Sequence, residues 1–220
     1  MTASIARASV DGRQALRDLV TSYARREPPR SVAVVGNAPV SESAPRAREI
    51  DDSDLVVRMT SFATDRPGEH RLGTRTDVVL VHRAVRAGPA TFADHSSRLY
   101  LLVEPGRLYW EREDRPAWWP GSPISVSNRD FTVPLKELLG LDPAEASWPT
   151  TGTLAAYMMS ELFPEARTRL YGLSILERPD QSRFEHSWGS AVPVTPEHRL
   201  HAESALLRVW HDSGRIEVRR

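Results

Sequence analysis

Residues Ser31–Met59 read SVAVVGNAPVSESAPRAREIDDSDLVVRM. A first apolar run, Val32 to Val35, stops at Gly36-Asn37. A Pro/Ser-rich loop follows, then Ile50-Asp51-Asp52-Ser53-Asp54, then a second apolar run, Leu55 to Val57, closed by Arg58. Short runs of β-branched or small apolar residues ending on a glycine predict buried strands of a parallel sheet. Glycine lets the chain turn sharply and leaves backbone N–H groups open to a ligand. Ligands of open α/β sheets sit at the carboxyl ends of the strands. Gly36, Asn37 and Ala38 are therefore expected where a nucleotide would bind. A strand ending in Gly-Asn also occurs in α/β domains with no such site. The spacing is not GxGxxG, so no nicotinamide or flavin cofactor is indicated.

Composition narrows the class. The 220 residues suffice for one α/β domain with its own core. Hydrophobic residues at 40% and charged residues at 26% match an ordinary globular chain. Lys plus Arg and Asp plus Glu are both 29, so the formal net charge is zero. Lys136 is the only lysine. The arginines are scattered among acids and form no basic stripe, which argues against a nucleic-acid partner. The absence of cysteine excludes disulfides, thiolate metal sites and a cysteine nucleophile. No window approaches the roughly 20 apolar residues of a membrane span. The N-terminus lacks a signal-peptide core, so the expected location is the cytoplasm.

Along the chain, residues 11–27 carry helical apolar spacing with Asp11 as a possible N-cap, ended by Pro28-Pro29. Strands are expected at Val32–Val35, Leu55–Met59, Val78–Val81 and Leu99–Val103, and a last one at Ile216–Val218. Short helices are expected near Arg46–Ile50 and at Lys136–Leu139. Asp52-Ser53-Asp54 fits a DxD metal pattern, but these acids stand at the amino end of a strand, away from the ligand edge. His82, alone after a strand, reads as structural. Residues 104–134, with Tyr109, Trp110, Trp118 and Trp119, read as a long loop suited to a lid or an acceptor wall, or to core filling. Trp148-Pro149-Thr150-Thr151-Gly152 opens a helix, where free N–H groups favour an anion, although plain capping by Thr150 or Thr151 explains the same residues. His186, His198 and His201 do not have HExxH spacing, and no carboxylate completes a ligand set. Pro196 fits the first turn of a helix, which would project His198 toward the sheet edge and leave His201, one turn on, at the surface or behind the site.

VAVVGNAPVSESAPRAREIDDSDLVVRMTSF with Leu72-Gly73-Thr74-Arg75-Thr76 resembles the long sialyl motif of the family 29 glycosyltransferases, the sialyltransferases, over about 45 residues. Pro149-Thr150-Thr151-Gly152 and the later Tyr171-Gly172 resemble the short motif. His186-Ser187-Trp188 is similar to the third motif, His-Tyr-Trp. His198 with Glu203 resembles the very small motif, His-x4-Glu. The motifs stand in family order. The resemblance implies a single-domain α/β fold, a mostly parallel Rossmann-like sheet flanked by helices, in the GT-A-like variant of sialyltransferases. Residues 1–30 would be an N-terminal helical segment and residues 31–220 the catalytic domain, as in a bacterial, soluble, minimal member.

The resemblance also implies chemistry. The donor would be a CMP-linked acidic keto sugar such as a sialic acid, the acceptor a hydroxyl, and no metal would be needed. His198 would be the general base of an inverting transfer and His186 would cover the departing phosphate. Gly36, Asn37, Ala38, Thr60, Thr150, Thr151, Gly152, Gly172 and Trp188 would hold the donor. Arg58 and Glu203 would support the site from behind, with an exposed helix carboxylate as the plain alternative for Glu203. The chain departs from the family where Arg58-Met59-Thr60 stands for Arg-Met-Asn, where Pro39 follows Asn37-Ala38, and where Ser187 replaces an aromatic. These changes fall on the donor side. They keep open a CMP-Kdo or other nonulosonate transferase in a specialised pathway; separate alternatives are a cytidine-nucleotide binder or CMP-sugar hydrolase, and a structural α/β domain whose likeness to the motifs is accidental. Acceptor identity and oligomeric state are not legible.

Overall fold

The computed structural model describes residues 2–82, 87–103 and 123–219. In chain order the elements are α1 (Thr2–Thr21), β1 (Ser31–Val35), α2 (Ala44–Asp51), β2 (Leu55–Met59), β3 (Val78–Val81), β4 (Leu99–Leu102), β5 (Ile124–Ser125), α3 (Thr132–Leu138), α4 (Thr151–Leu162), β6 (Arg167–Tyr171), β7 (Arg183–Glu185), β8 (Ala191–Pro193), α5 (Leu200–Asp212) and β9 (Glu217–Arg219). Seven strands form one sheet in the order β5-β4-β3-β2-β1-β6-β9. Every adjacent pair in it is parallel. β7 and β8 make a separate antiparallel hairpin. This is the α/β, Rossmann-type sheet flanked by helices that the sequence suggested.

The pleat sorts each apolar run onto two faces. Val32, Val34, Leu55, Val57, Val78, Leu80, Leu99 and Leu101 face a large core that includes Val20 of α1, Leu135 of α3, Leu154 and Met158 of α4, and Leu207 and Trp210 of α5. Ala33, Val35 and Val56 meet Ile50 of α2 and Leu72 on the other side. Val79, Val81 and Leu102 pack with Phe62 and Tyr100. Strands buried on both faces need continuous apolar runs, which is why these segments show no alternation.

The order places β1 at the switch point. From β1 the chain builds outward through β2 to β5, then returns to lay β6 and β9 on the opposite side. The crevice above the carboxyl ends of β1 and β6 is where such sheets bind ligands.

Several sequence expectations are corrected. α1 begins at Thr2, so Asp11 lies inside it and not at its N-cap, and it ends at Thr21, ahead of Pro28. The Ala-rich residues before Asp11 favour helix and extend it. The short edge strand β5 and the start of α3 lie in the segment read as loop, and Gly140, at φ +69°, follows the end of α3. α5 begins at Leu200, with Arg199 in a non-helical conformation, so Pro196 and His198 belong to the turn before the helix and not to its first turn. Tyr109, Trp110, Trp118 and Trp119 lie outside the described residues.

Candidate active site

The floor of the site is a crossing of two backbones. Gly36 N–H donates to the Tyr171 carbonyl at 2.7 Å, and Ala38 N–H donates to the Gly172 carbonyl at 3.0 Å. A Cβ on Gly36 would fall 2.1 Å from the Gly172 oxygen, so no larger residue fits. Gly172 itself turns at φ +60°, a region glycine enters without steric cost. Asn37, at the lip of this crossing, donates from its side-chain amide to the Met59 carbonyl at 3.3 Å. Its own carbonyl accepts from Ser187 N–H at 2.8 Å, which ties the β7–β8 hairpin to the crossing.

The start of α4 forms the next wall. Thr150 is the N-cap, its hydroxyl accepting from Thr153 N–H at 3.3 Å. The same hydroxyl donates to Glu203 Oε2 at 2.6 Å, as does the Thr153 hydroxyl at 2.6 Å, and Thr150 N–H donates to that oxygen at 2.9 Å. Glu203 is 0% exposed. The exposed-carboxylate alternative is therefore overturned: Glu203 reaches from α5 to hold the first turn of α4. With the Thr150 hydroxyl engaged inward, half-buried Thr151 presents the helix start to the cavity. Gly152 does not face the cavity. A Cβ there would meet Leu173 Cδ2 at 2.8 Å and Met59 Sδ at 3.5 Å, so its role is close packing of α4 on the sheet end.

Two imidazoles complete the wall. His198 Nδ1 lies 2.8 Å from the Trp148 carbonyl oxygen. A carbonyl only accepts, so Nδ1 carries a proton, and in the neutral ring Nε2 keeps its lone pair. The ring packs edge-on against Phe184, centroids 6.1 Å apart. His186 sits in the hairpin turn, its Nδ1 2.8 Å from Ser190 Oγ. It stacks on Trp188 at 4.4 Å between centroids. Burial lowers the His186 pKa below the usual imidazole value.

These groups line one cavity of about 530 Å³. It gathers Gly36, Asn37, Ala38, Thr60, Thr150, Thr151, Gly172, His186 and His198. Trp188, Gly152, Glu203 and Arg58 are not among its lining residues. Arg58 is 1% exposed and donates to the Arg75 carbonyl and Thr76 hydroxyl, both at 3.0 Å, and to the Leu72 carbonyl at 2.8 Å. Burial pushes its pKa down to about 10. Arg58 thus knits β2 to the Leu72–Thr76 segment, whose Gly73, Thr74 and Arg75 amides are held by the Asp65 and Asp51 carboxylates. Thr60 follows β2 at φ +33°, strained for a residue with a β-branch. Its hydroxyl donates to the Leu80 carbonyl at 3.3 Å.

His82, read from the sequence as structural, also lines the cavity, as do Ser61, Ser174, Glu185 and Glu197, which sequence reading missed. His82 and Ser61 could have been found by position: each follows a strand at its carboxyl end. Glu185 and Glu197 lie on the hairpin and the turn before α5, whose approach to the sheet no local pattern encodes. Among the described lining residues there is no arginine or lysine.

Asp52 and Asp54 stand at the other end of the sheet. Asp52 caps the end of α2, and Asp54 Oδ2 accepts from the Arg30 and Ser31 amides at 2.8 and 3.1 Å. Among the described residues no group of three His, Asp or Glu side chains could hold a metal ion, and no helix is long and apolar enough to cross a membrane.

No family model and no curated protein matches the sequence. Solved structures do match. One is a mammalian sialyltransferase, 20% identical over 86% of this chain and 68% of that one, at a TM-score of 0.57. Another is a mammalian sialyltransferase in complex with Gal-beta-1-3GalNAc-ortho-nitrophenol, 19% identical over 86% and 69%, at a TM-score of 0.55. At such identities the likeness establishes the fold: the chain has the Rossmann-type architecture of these sialyltransferases.

Proposed function

We propose that the chain is an inverting, metal-independent glycosyltransferase that moves an acidic keto sugar from CMP to an acceptor hydroxyl. The observation that carries this reading is a convergence. The Gly36–Gly172 crossing, the start of α4 and the His198 ring, whose Nδ1 is engaged by the Trp148 carbonyl, share one cavity, though they come from opposite ends of the sequence. The structural neighbours are sialyltransferases, which supports a CMP-sugar as donor.

In this reading the nucleoside lies over Gly36, Asn37, Ala38 and Gly172. Thr151 and the free amides of the first turn of α4 take the sugar carboxylate, using the positive end of the helix dipole. His198 Nε2 removes the proton from the acceptor hydroxyl as its oxygen attacks the anomeric carbon. The bond from that carbon to the phosphate oxygen breaks on the opposite face, CMP departs with the electron pair, and the anomeric centre inverts. His186 donates a hydrogen bond to the departing phosphate, and Trp188 holds its ring by stacking. A phosphate monoester leaving group is stabilised by such fixed donors without a divalent cation. Residues 31–220 are the catalytic unit, with residues 1–30 a helical segment against it.

A second reading concerns the sugar. The Thr60 hydroxyl is turned into the sheet, where the family has a longer amide. That favours a CMP-linked ulosonate other than sialic acid, Kdo among them.

The test is a screen of CMP-sugars for CMP release, with and without acceptors, on wild type and His198→Ala. Wild type should turn over at least one donor. His198→Ala should bind CMP within about twofold of wild type by calorimetry and lose roughly 10²- to 10⁴-fold in kcat. An unaltered kcat would remove His198 as the base. No CMP binding by wild type would overturn the whole reading.

A further inference from the structure

We propose that Lys136, the only lysine of the chain, is a positioning residue for His198, acting through the Trp148 carbonyl. The inference rests on the assignment of His198 as the base.

Lys136 is 1% exposed. A buried ammonium is costly unless all its donors are engaged. Here Nζ donates to the Pro143 carbonyl at 2.8 Å and the Glu145 carbonyl at 2.7 Å. It also lies 5.2 Å from the centroid of the Trp148 ring, a cation–π distance. These partners all belong to residues 141–150, the stretch without helix or strand that joins α3 to α4. A chain with no ladder of its own takes its shape from such side-chain contacts.

The far end of that stretch meets the candidate base. Trp148 N–H donates to the Glu197 carbonyl at 2.9 Å. The Trp148 carbonyl accepts from His198 Nδ1 at 2.8 Å. Two residues later Thr150 caps α4. One ammonium therefore clamps the segment that fixes both the tautomer of His198 and the direction of its Nε2. With the clamp released, the Trp148 carbonyl shifts, the imidazole loses its Nδ1 acceptor, and the proton moves to Nε2. In that tautomer the nitrogen facing the cavity cannot accept a proton.

The experiment compares wild type with Lys136→Met, which keeps the length and removes the donors, and Lys136→Gln, which keeps an amide donor and removes the charge. Four quantities are read: CMP affinity by calorimetry, kcat, KM for the donor, and the His198 ring tautomer by ¹⁵N NMR. The tautomer needs no turnover, so it reports on the clamp even if the transferase reading fails. The expected result for Lys136→Met is CMP affinity within about twofold, kcat lower by roughly tenfold to hundredfold with KM little changed, and a loss of the Nδ1–H signature. The Gln variant should fall between. Unchanged kcat with an unchanged tautomer, in whichever variant folds, overturns the proposal. So does an equal loss of kcat and CMP affinity with the tautomer intact, which marks a purely structural lysine.

Discussion

At the scale of single residues, the two imidazoles of the cavity are held by different physics. His198 is fixed by a main-chain carbonyl, which selects a tautomer. His186 is held by a hydroxyl and a stacked indole, and its burial disfavours the charged form. Because the folded-state pKa of His186 lies below the usual imidazole value of 6.5, the unfolded chain takes up that proton first on acidification. Its contribution is constant above about pH 6.5 and is lost progressively as the pH falls through that value toward the depressed folded pKa. Thermal melts between pH 5 and 8 should show this decline, and His186→Gln should flatten part of it. A His186→Gln curve parallel to wild type would refute the assignment. Trp188, expected in contact with the donor, stacks on the ring of His186 and is not among the residues that line the cavity.

At the scale of elements, α4 and α5 are joined by one carboxylate. Glu203 gathers two hydroxyls and an amide at the start of α4 and leaves Oε1 buried without a hydrogen-bond partner among the described residues. Removing it strands those donors and opens a cavity, so Glu203→Ala should destabilise by about 2–4 kcal/mol in denaturant titrations. A change within about 0.5 kcal/mol would mean the contact is dispensable. The same scale governs the close approach of the chain just past the ends of β1 and β6. A methyl at Gly36 overlaps backbone, which cannot rotate away as a side chain can. Gly36→Ala should cost about 3 kcal/mol or more and weaken CMP binding at least tenfold by calorimetry. Retained affinity would mean the two strands can separate without loss of the site.

At the scale of the whole molecule, the sheet separates two functions by its ends. The amino end carries Asp54 bracing the entry to β1, and the carboxyl end carries the cavity. The DxD-like acids therefore lie on the wrong edge to bridge donor phosphates. EDTA should leave turnover within about 20% of the untreated rate, a margin consistent with assay scatter rather than loss of a cation that supplies several kcal/mol. Strong inhibition reversed by a divalent cation would return Asp52 and Asp54 to consideration. Much of the architecture was legible because parallel strands buried on both faces must be continuous apolar runs. Val32–Val35, Leu55–Met59 and Val78–Val81 announce themselves. Element ends were less legible: Pro196 reads as a helix start, yet the turn that carries His198 is held by its bond to Trp148, 50 residues away.

The sequence alone determined strands β1 to β4 and β9, the glycine that ends β1, the threonine cap of α4 and the histidines, because each depends on local sterics, hydrogen bonding or side-chain chemistry. Only the tertiary structure decided which of those residues share a cavity. It brought His82 and Glu197 in, turned Thr150 and Glu203 toward each other, and put Arg58 to work behind the sheet. Those outcomes depend on packing between segments far apart in the chain, where burial and unsatisfied polar groups, not neighbouring residues, set the cost of each arrangement.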